Sequence, residues 1–287
     1  MLVKIAGETP AHFLTLGGEP LLTKRIGIMG AIATLPAFAQ ASSAPASAER
    51  LALAPRQHAP IRNLVEHGDG TASSTNWSGF AVTGSSFIGV KGTWIVPTVT
   101  CGTGDQYAAF WVGLDGYSSS TVEQTGTDSD CDGGEPNYYA WYEFYPYPSF
   151  EITSLKIAPG DRMGAKVVYN GSEFTIAIAD LTTGQYFTKS ATVPGAERSS
   201  AEWIAEAPCC TSGGGILPLA DFGTVLFGGD NTGRAGTCSA EDSSTMGPIG
   251  SFPAIKEITM AKDGIKESIP SALSSDGTSF SLTWAAQ

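Results

Sequence analysis

Histidine is nearly missing from this chain of 287 residues, and the three present, His12, His58 and His67, all precede Thr71. A mature chain that begins near Thr71 therefore holds no imidazole. That excludes Ser-His-Asp and Cys-His catalysis and histidine-ligated metals together. Positive charge is scarce too: 16 Lys and Arg stand against 28 Asp and Glu, a net charge of −12. From Thr71 onward the balance is 10 basic against 23 acidic residues, or −13. So acidic a surface argues against nucleic acid as a partner.

Other features are absent as well. No apolar run approaches the roughly 20 residues needed to span a bilayer. No segment keeps a helical period over three turns, and no repeat of fixed length recurs. The glycine clusters Gly213-Gly214-Gly215 and Gly228-Gly229 open no helix, so phosphate cradling is not expected. Five cysteines, Cys101, Cys131, Cys209, Cys210 and Cys238, fit no zinc spacing. They are expected to staple loops, Cys101 with Cys131 and one of Cys209 or Cys210 with Cys238. Asp128, Asp130, Asp132 and Glu135 only loosely resemble a calcium loop, and a solvated acidic loop is the favoured reading. Neither metal nor cofactor is expected.

Residues 1–20 carry no periodic pattern. After them come Lys24-Arg25, an apolar run over residues 26–37, and Ala37-Phe38-Ala39 as a small-x-small cleavage signal. Residues 1–39 thus predict an extended N-terminus ending in a secretory signal peptide, with export and no membrane anchor in the mature form. Residues 40–70 are rich in Ala, Ser and Pro and include Arg50, Arg56, Arg62, His58 and His67. Their composition suits a plain linker and a removable pro-segment equally. A basic arm beside an acidic body would be held at neutral pH and released as carboxylates take up protons, so the arm is an expected intramolecular inhibitor.

Residues 71–287 read as one all-β domain. Short β-rich runs at 76–81, 90–95, 108–114, 121–124, 138–145, 152–157, 162–169, 173–180, 185–191, 201–206, 224–227, 255–260 and 279–284 alternate with turn signals such as Asn170-Gly171 and Pro159-Gly160. Many strands joined by short turns predict a sandwich of two packed antiparallel sheets, of jelly-roll or concanavalin type. A monomer is expected.

Two stretches carry the chemistry. QYAAFWVGLDGYSSSTVEQ, residues 106–124, reads as two strands joined by a turn, with Gln124 near the end of the return strand. SAEWIAE, residues 200–206, wedges carboxylates between apolar side chains. In YYAWYEFY, Trp141, Glu143 and Tyr145 share one face of an alternating strand. With Trp111 nearby, that face would line a groove fitted to an extended polymer. Ser118-Ser119-Ser120 has no general base in view and reads as a turn.

The motifs NWSGF at Asn76, FWVGLDG at Phe110, VEQTG at Val122, YYAWYEFYP at Tyr138 and SAEWIAE at Ser200 resemble, in kind and in order, those of the glutamic peptidases, or eqolisins. The resemblance covers residues 71–227 firmly and the tail more loosely. It implies a secreted β-sandwich acid endopeptidase made with a prepropeptide, whose catalytic Gln and Glu match Gln124 and Glu202. By the same matching, Trp111 and Asp115 support that pair, and Glu143 and Tyr145 line the groove. The vicinal Cys209-Cys210 and the loop through Gly215 depart from the pattern.

The chemistry this implies is self-consistent. Glu202 would take a proton from water and return it to the leaving amine, while Gln124 would orient that water and donate to the oxyanion, with no covalent intermediate. Two rivals stand beside it. One is a glycoside hydrolase using Glu143 and Glu202. The other is a non-catalytic module that binds carbohydrate or peptide through the aromatics.

Overall fold

The computed structural model describes residues 52–209, 215–229 and 237–285. The signal-peptide reading and Cys210 lie outside them. In chain order the strands are β1 (Ala52–Leu53), β2 (Val65–Glu66), β3 (Thr71–Ser74), β4 (Trp77–Thr83), β5 (Gly89–Ile95), β6 (Ala109–Leu114), β7 (Val122–Asp132), β8 (Glu135–Tyr145), β9 (Phe150–Glu151) and β10 (Arg162–Tyr169). There follow β11 (Phe174–Asp180), β12 (Tyr186–Ala191), β13 (Ser200–Glu206), β14 (Thr224–Phe227), β15 (Ser239–Glu241), β16 (Met246–Pro248), β17 (Ile255–Lys262), β18 (Ile265–Pro270) and β19 (Phe280–Trp284).

Pairing orders these strands into two layers. One runs β9-β8-β7-β6-β13-β4-β17, and the other β12-β11-β10-β5-β14-β19-β18. The β17–β18 pair joins their edges. All these pairs are antiparallel, and among the described strand pairs only β3 against β17 runs parallel. The expected sandwich is what the chain forms.

Strand alternation explains the layering. Along β11, FTIAIAD buries every second residue, placing Phe174, Ile176 and Ile178 between the sheets. Facing them from the first layer are Phe110, Val112, Tyr142, Phe144 and Trp203. A second apolar cluster lies on the other face of the first layer and contains Trp77, Trp111, Trp141 and Ile204. It is this outer cluster that surrounds the site.

Two expectations need correction. The acidic loop at 128–135 is instead the end of β7 and the start of β8, so Asp128 and Asp130 are buried strand residues. The strand expected at 152–157 is a turn after β9, in which Ile152 and Leu155 are buried. Their apolar character serves a packed loop, which a strand pattern imitates over so short a run. Cys101 and Cys131 form a disulfide. Cys238 is a buried thiol that desolvation pushes up to about 12; of its two expected partners, Cys209 is not bridged to it, and Cys210 lies outside the described residues.

Candidate active site

Register brings the chemistry to one face. Directly opposed residues on paired strands project to the same side, so three rungs cross the layer from β13 through β6 and β7 to β8. They are Glu202–Gly113–Gln124–Glu143, Ile204–Trp111–Gly126–Trp141 and Glu206–Ala109–Asp128–Tyr139. Glycine in the middle of the first two rungs keeps the floor low. A Cβ on Gly113 would meet the Trp111 ring at 3.0 Å and the Gln124 Cβ at 3.1 Å.

Residues 54–62 lie extended across this floor, with backbone groups paired along the way. Gln57 exchanges backbone hydrogen bonds with Cys209 at 3.2 and 3.0 Å. His58 N–H donates to Glu143 Oε2 at 3.0 Å, and its carbonyl accepts from Gln124 Nε2 at 2.8 Å. Ala59 N–H donates to Glu206 Oε1 at 3.1 Å, and its carbonyl accepts from Trp77 Nε1 at 3.0 Å. Beyond it, Asn76 Nδ2 donates to the Pro60 carbonyl at 3.3 Å, Ile61 N–H to Gly116 O at 3.1 Å, and Arg62 N–H to Asn76 Oδ1 at 2.7 Å.

Side chains complete the fit. The His58 ring stacks on Trp141, centroids 3.5 Å apart and planes 4° from parallel. Its Nε2 lies 3.1 Å from Asp128 Oδ1 and its Nδ1 3.4 Å from Glu143 Oε2. Burial by itself would lower this imidazole, but the two carboxylates overcome it and hold the pKa up at about 10. His58 is thus an imidazolium clamped between acids, not a general base. Arg56 reaches Asp132 at 2.8 Å and Asp130 at 3.9 Å, with its guanidinium over the Tyr107 ring.

Among the expected site residues, the structure brings Gln124, Trp111, Trp141 and Glu143 together around this segment. Gln124 Nε2 also donates to Glu143 Oε2 at 3.2 Å. Tyr145 sits at the rim of the outer cluster, in company with Ile61 and Leu64. Asp115 acts elsewhere. In the left-handed region at φ 71°, its carboxylate accepts from the Arg198 and Ser199 amides at 2.7 and 2.8 Å and fixes the lead into β13.

Glu202 is not drawn into the group. It shares a rung with Gln124, but β6 stands between them, and no described hydrogen bond links it to Gln124 or to residues 54–62. Burial, reinforced by the Asp115 and Glu123 carboxylates and opposed by Ser200, pushes it well above the usual range. The carboxyl that does reach the segment is Glu206, which the sequence reading passed over. Trp111 Nε1 donates to its Oε2 at 2.9 Å, and Asn76 Nδ2 to its Oε1 at 3.4 Å. Burial raises it to about 8 against the pull of these donors and of His58. In AEWIAE both glutamates fall on one face of the strand, so alternation alone does not choose between them. The choice is made by Trp111, whose indole extends toward the Glu206 end.

The sequence profile of the Peptidase A4 family matches residues 75–252, and the chain belongs to that family. It is a glutamic-type endopeptidase, which sets aside the glycoside hydrolase reading of the groove. Aspergillopepsin-2 of Aspergillus niger is 30% identical over 217 residues, 67% of this chain and 76% of the relative. Scytalidopepsin B of Scytalidium lignicola is 34% identical over 161 residues, 53% of this chain and 60% of the relative. The crystal structure of scytalido-glutamic peptidase with a transition state analog inhibitor superposes with a TM-score of 0.62 at 27% identity, covering 74% of this chain and 98% of that one. That of aspergilloglutamic peptidase from Aspergillus niger gives 0.53 at 28% identity, covering 63% and 99%.

Proposed function

We propose that this chain is an exported, acid-acting endopeptidase in which Gln124 and Glu206 act together on one water molecule, with residues 54–62 closing the cleft in the precursor. Once residues 54–62 leave and water enters the cleft, the burial that raises Glu206 is relieved, and as carboxylate it takes a proton from that water and returns it to the amine that leaves. Gln124 donates its side-chain N–H to the oxygen that gains charge. Unlike a protonated acid, the amide remains a donor at every working pH. Water attacks directly, so no acyl-enzyme forms.

One observation carries the assignment: the amide and the carboxyl meet opposite ends of the same backbone peptide unit, that of His58 and Ala59. Trp111 orients Glu206, Glu143 orients Gln124, and Trp141 with Asp128 forms the wall for the side chain before the cut. Asp115 acts at a distance, by fixing the strand that carries Glu206. Charge supports the closing role of residues 54–62, since Arg56 and His58 meet four carboxylates, and protonating these removes the attraction. Export rests on the N-terminal pattern, and no described helix is long and apolar enough to cross a membrane.

The test is digestion of acid-denatured haemoglobin by the purified chain as pH is lowered. Turnover in acid that disappears in Gln124→Ala is expected. Full turnover in that variant would refute the mechanism.

A further inference from the structure

The second layer has an outer face that takes no part in the cleft, and register sets two rungs side by side there. They are Lys91–Lys166–Ala177–Thr188 and Thr93–Gly164–Ala179–Tyr186, on β5, β10, β11 and β12. We propose that this face binds a free single-chain amphiphile with an anionic head, its tail lying on the glycine and alanine floor and its head held between the two lysines.

Side-chain size makes the shape. The alternate residues of β11, Ile176 and Ile178, point into the core, which leaves Gly164, Ala177 and Ala179 at the centre of the outer face. These small side chains, walled by Leu181 and Tyr186, leave a groove of about 350 Å³. That volume lies in the range of pockets that take small ligands, and Leu181 and Tyr186 are large apolar side chains left in solvent.

Charge identifies the occupant. Lys91 and Lys166 are directly opposed across β5 and β10, a pairing that repels unless an anion shares both charges. Neither ammonium has a hydrogen-bond or ion-pair partner among the described residues. The body as a whole holds 10 basic and 23 acidic residues, yet these four strands carry Lys91, Arg162, Lys166 and Lys189 against one acid, Asp180. The Asp180 carboxylate is bonded to Thr182 and Thr183, and Glu241 of β15 stands opposite Gly89, outside the lining. Lysine stems can cover small side chains with their heads in water, but the groove stays open with both lysines in place. A sugar polymer needs many hydrogen-bonding partners, and Gly164, Ala177 and Ala179 have no polar side-chain atoms. An alkyl chain needs only apolar surface, and a single anion answers both ammonium groups.

Titration of the full-length chain with anilinonaphthalenesulfonate at about pH 6, where lysine is charged, tests this by fluorescence. Saturation at one dye per chain is expected, with displacement by decyl phosphate and not by decanol. Phenylnaphthylamine, which has the same rings without the sulfonate, should bind at least about tenfold more weakly. Lys91→Met and Lys166→Met keep the apolar stem, and each should raise the Kd of the sulfonate about tenfold while leaving that of the neutral dye unchanged. Gly164→Val fills the floor, since a Cβ there meets Leu181 Cδ1 at 3.2 Å, and should exclude both dyes. Haemoglobin turnover should stay at the parent level in all three variants, so the result is separate from the peptidase reading. Equal affinity for the two dyes overturns the proposal, as does full affinity for the sulfonate when both lysines are changed. Lysine-dependent binding seen only on phosphatidylglycerol vesicles overturns it too.

Discussion

Gln124 and Glu206 stand on β7 and β13, with β6 between them, yet their side chains converge on a single peptide unit, the amide nitrogen 2.8 Å from its oxygen and the carboxyl 3.1 Å from its nitrogen. The rungs that contain them are offset along the sheet, and the low floor at Gly113 and Gly126 lets both reach inward over the strand that separates them.

Activity separates the two glutamates of β13. Glu206→Gln should lower kcat/KM by about a thousandfold or more, the scale of a lost general acid–base. Gln124→Ala should cost about a hundredfold to a thousandfold, the scale of a lost oxyanion donor. Glu202→Gln keeps the shape of a buried side chain that does not touch residues 54–62, so its kcat/KM should stay within about tenfold of the parent. Steady-state kinetics on a denatured protein in acid decides this, and loss of activity in Glu202→Gln with retention in Glu206→Gln would reverse the roles.

Stability should fall with rising pH. Burial raises Glu123 to about 9, Glu206 to about 8 and Glu202 well above its usual range. A carboxyl whose folded pKa exceeds its unfolded one contributes fully below the unfolded value, and that contribution is lost as pH climbs through the folded value. The window therefore opens near ~4.3 and closes near the Glu123 value. Tm should be highest in acid and fall by about 10 °C or more across the window, the consequence of losing several kcal/mol. Glu123→Gln should flatten the profile. Calorimetry finding a Tm that climbs from acid to mild alkali would contradict this.

The hold on residues 54–62 should depend on the imidazolium. His58 has its pKa raised to about 10, so while Asp128 and Glu143 stay ionised its attraction to them is present below its ordinary value and lost as pH rises through about 10. Breaking one side of a buried ion pair costs about 3–5 kcal/mol, so Asp128→Asn should speed amide exchange at His58 and Ala59 at least about a hundredfold. The inactive Glu206→Gln background allows the measurement. Unchanged protection would show that backbone pairing alone keeps the segment in place.

Reducing the Cys101–Cys131 bridge should destabilise the fold without touching the chemistry. It closes a loop with a sequence separation of 30, for which chain entropy gives about 3.5 kcal/mol. Paired Cys101→Ser and Cys131→Ser changes should lower the denaturant midpoint and leave kcat on a denatured substrate close to the parent. A large fall in kcat at full occupancy of the folded state would mean that the bridge also shapes the cleft.

Much of this was legible in the residues. Period-two alternation located most of the strands of both sheets, though not β9 or β18, because each strand buries one face against its neighbour layer, as in FTIAIAD. Gln124, Trp111, Trp141 and Glu143 could be grouped because alternation fixes the face of a residue. What alternation does not fix is position along a face, and for that reason Glu202 and Glu206 could not be told apart. The β7 carboxylates misled for a related reason: Asp128 and Asp130 carry charge, but a basic segment from before Thr71 covers them, and a reading confined to nearby residues has no access to that cover. The absence of histidine held for the body, yet the chain supplies His58 from the segment read as linker or pro-segment.

The stacking of His58 on Trp141 gives the molecule its own optical gauge. A protonated imidazole laid flat against an indole quenches its emission, so the intact precursor should be dim at that ring and brighten as the segment departs. Uncovering of Trp77 and Trp111 to solvent should shift the spectrum in the same event, allowing the unlabelled protein to time its own opening in a stopped-flow cell.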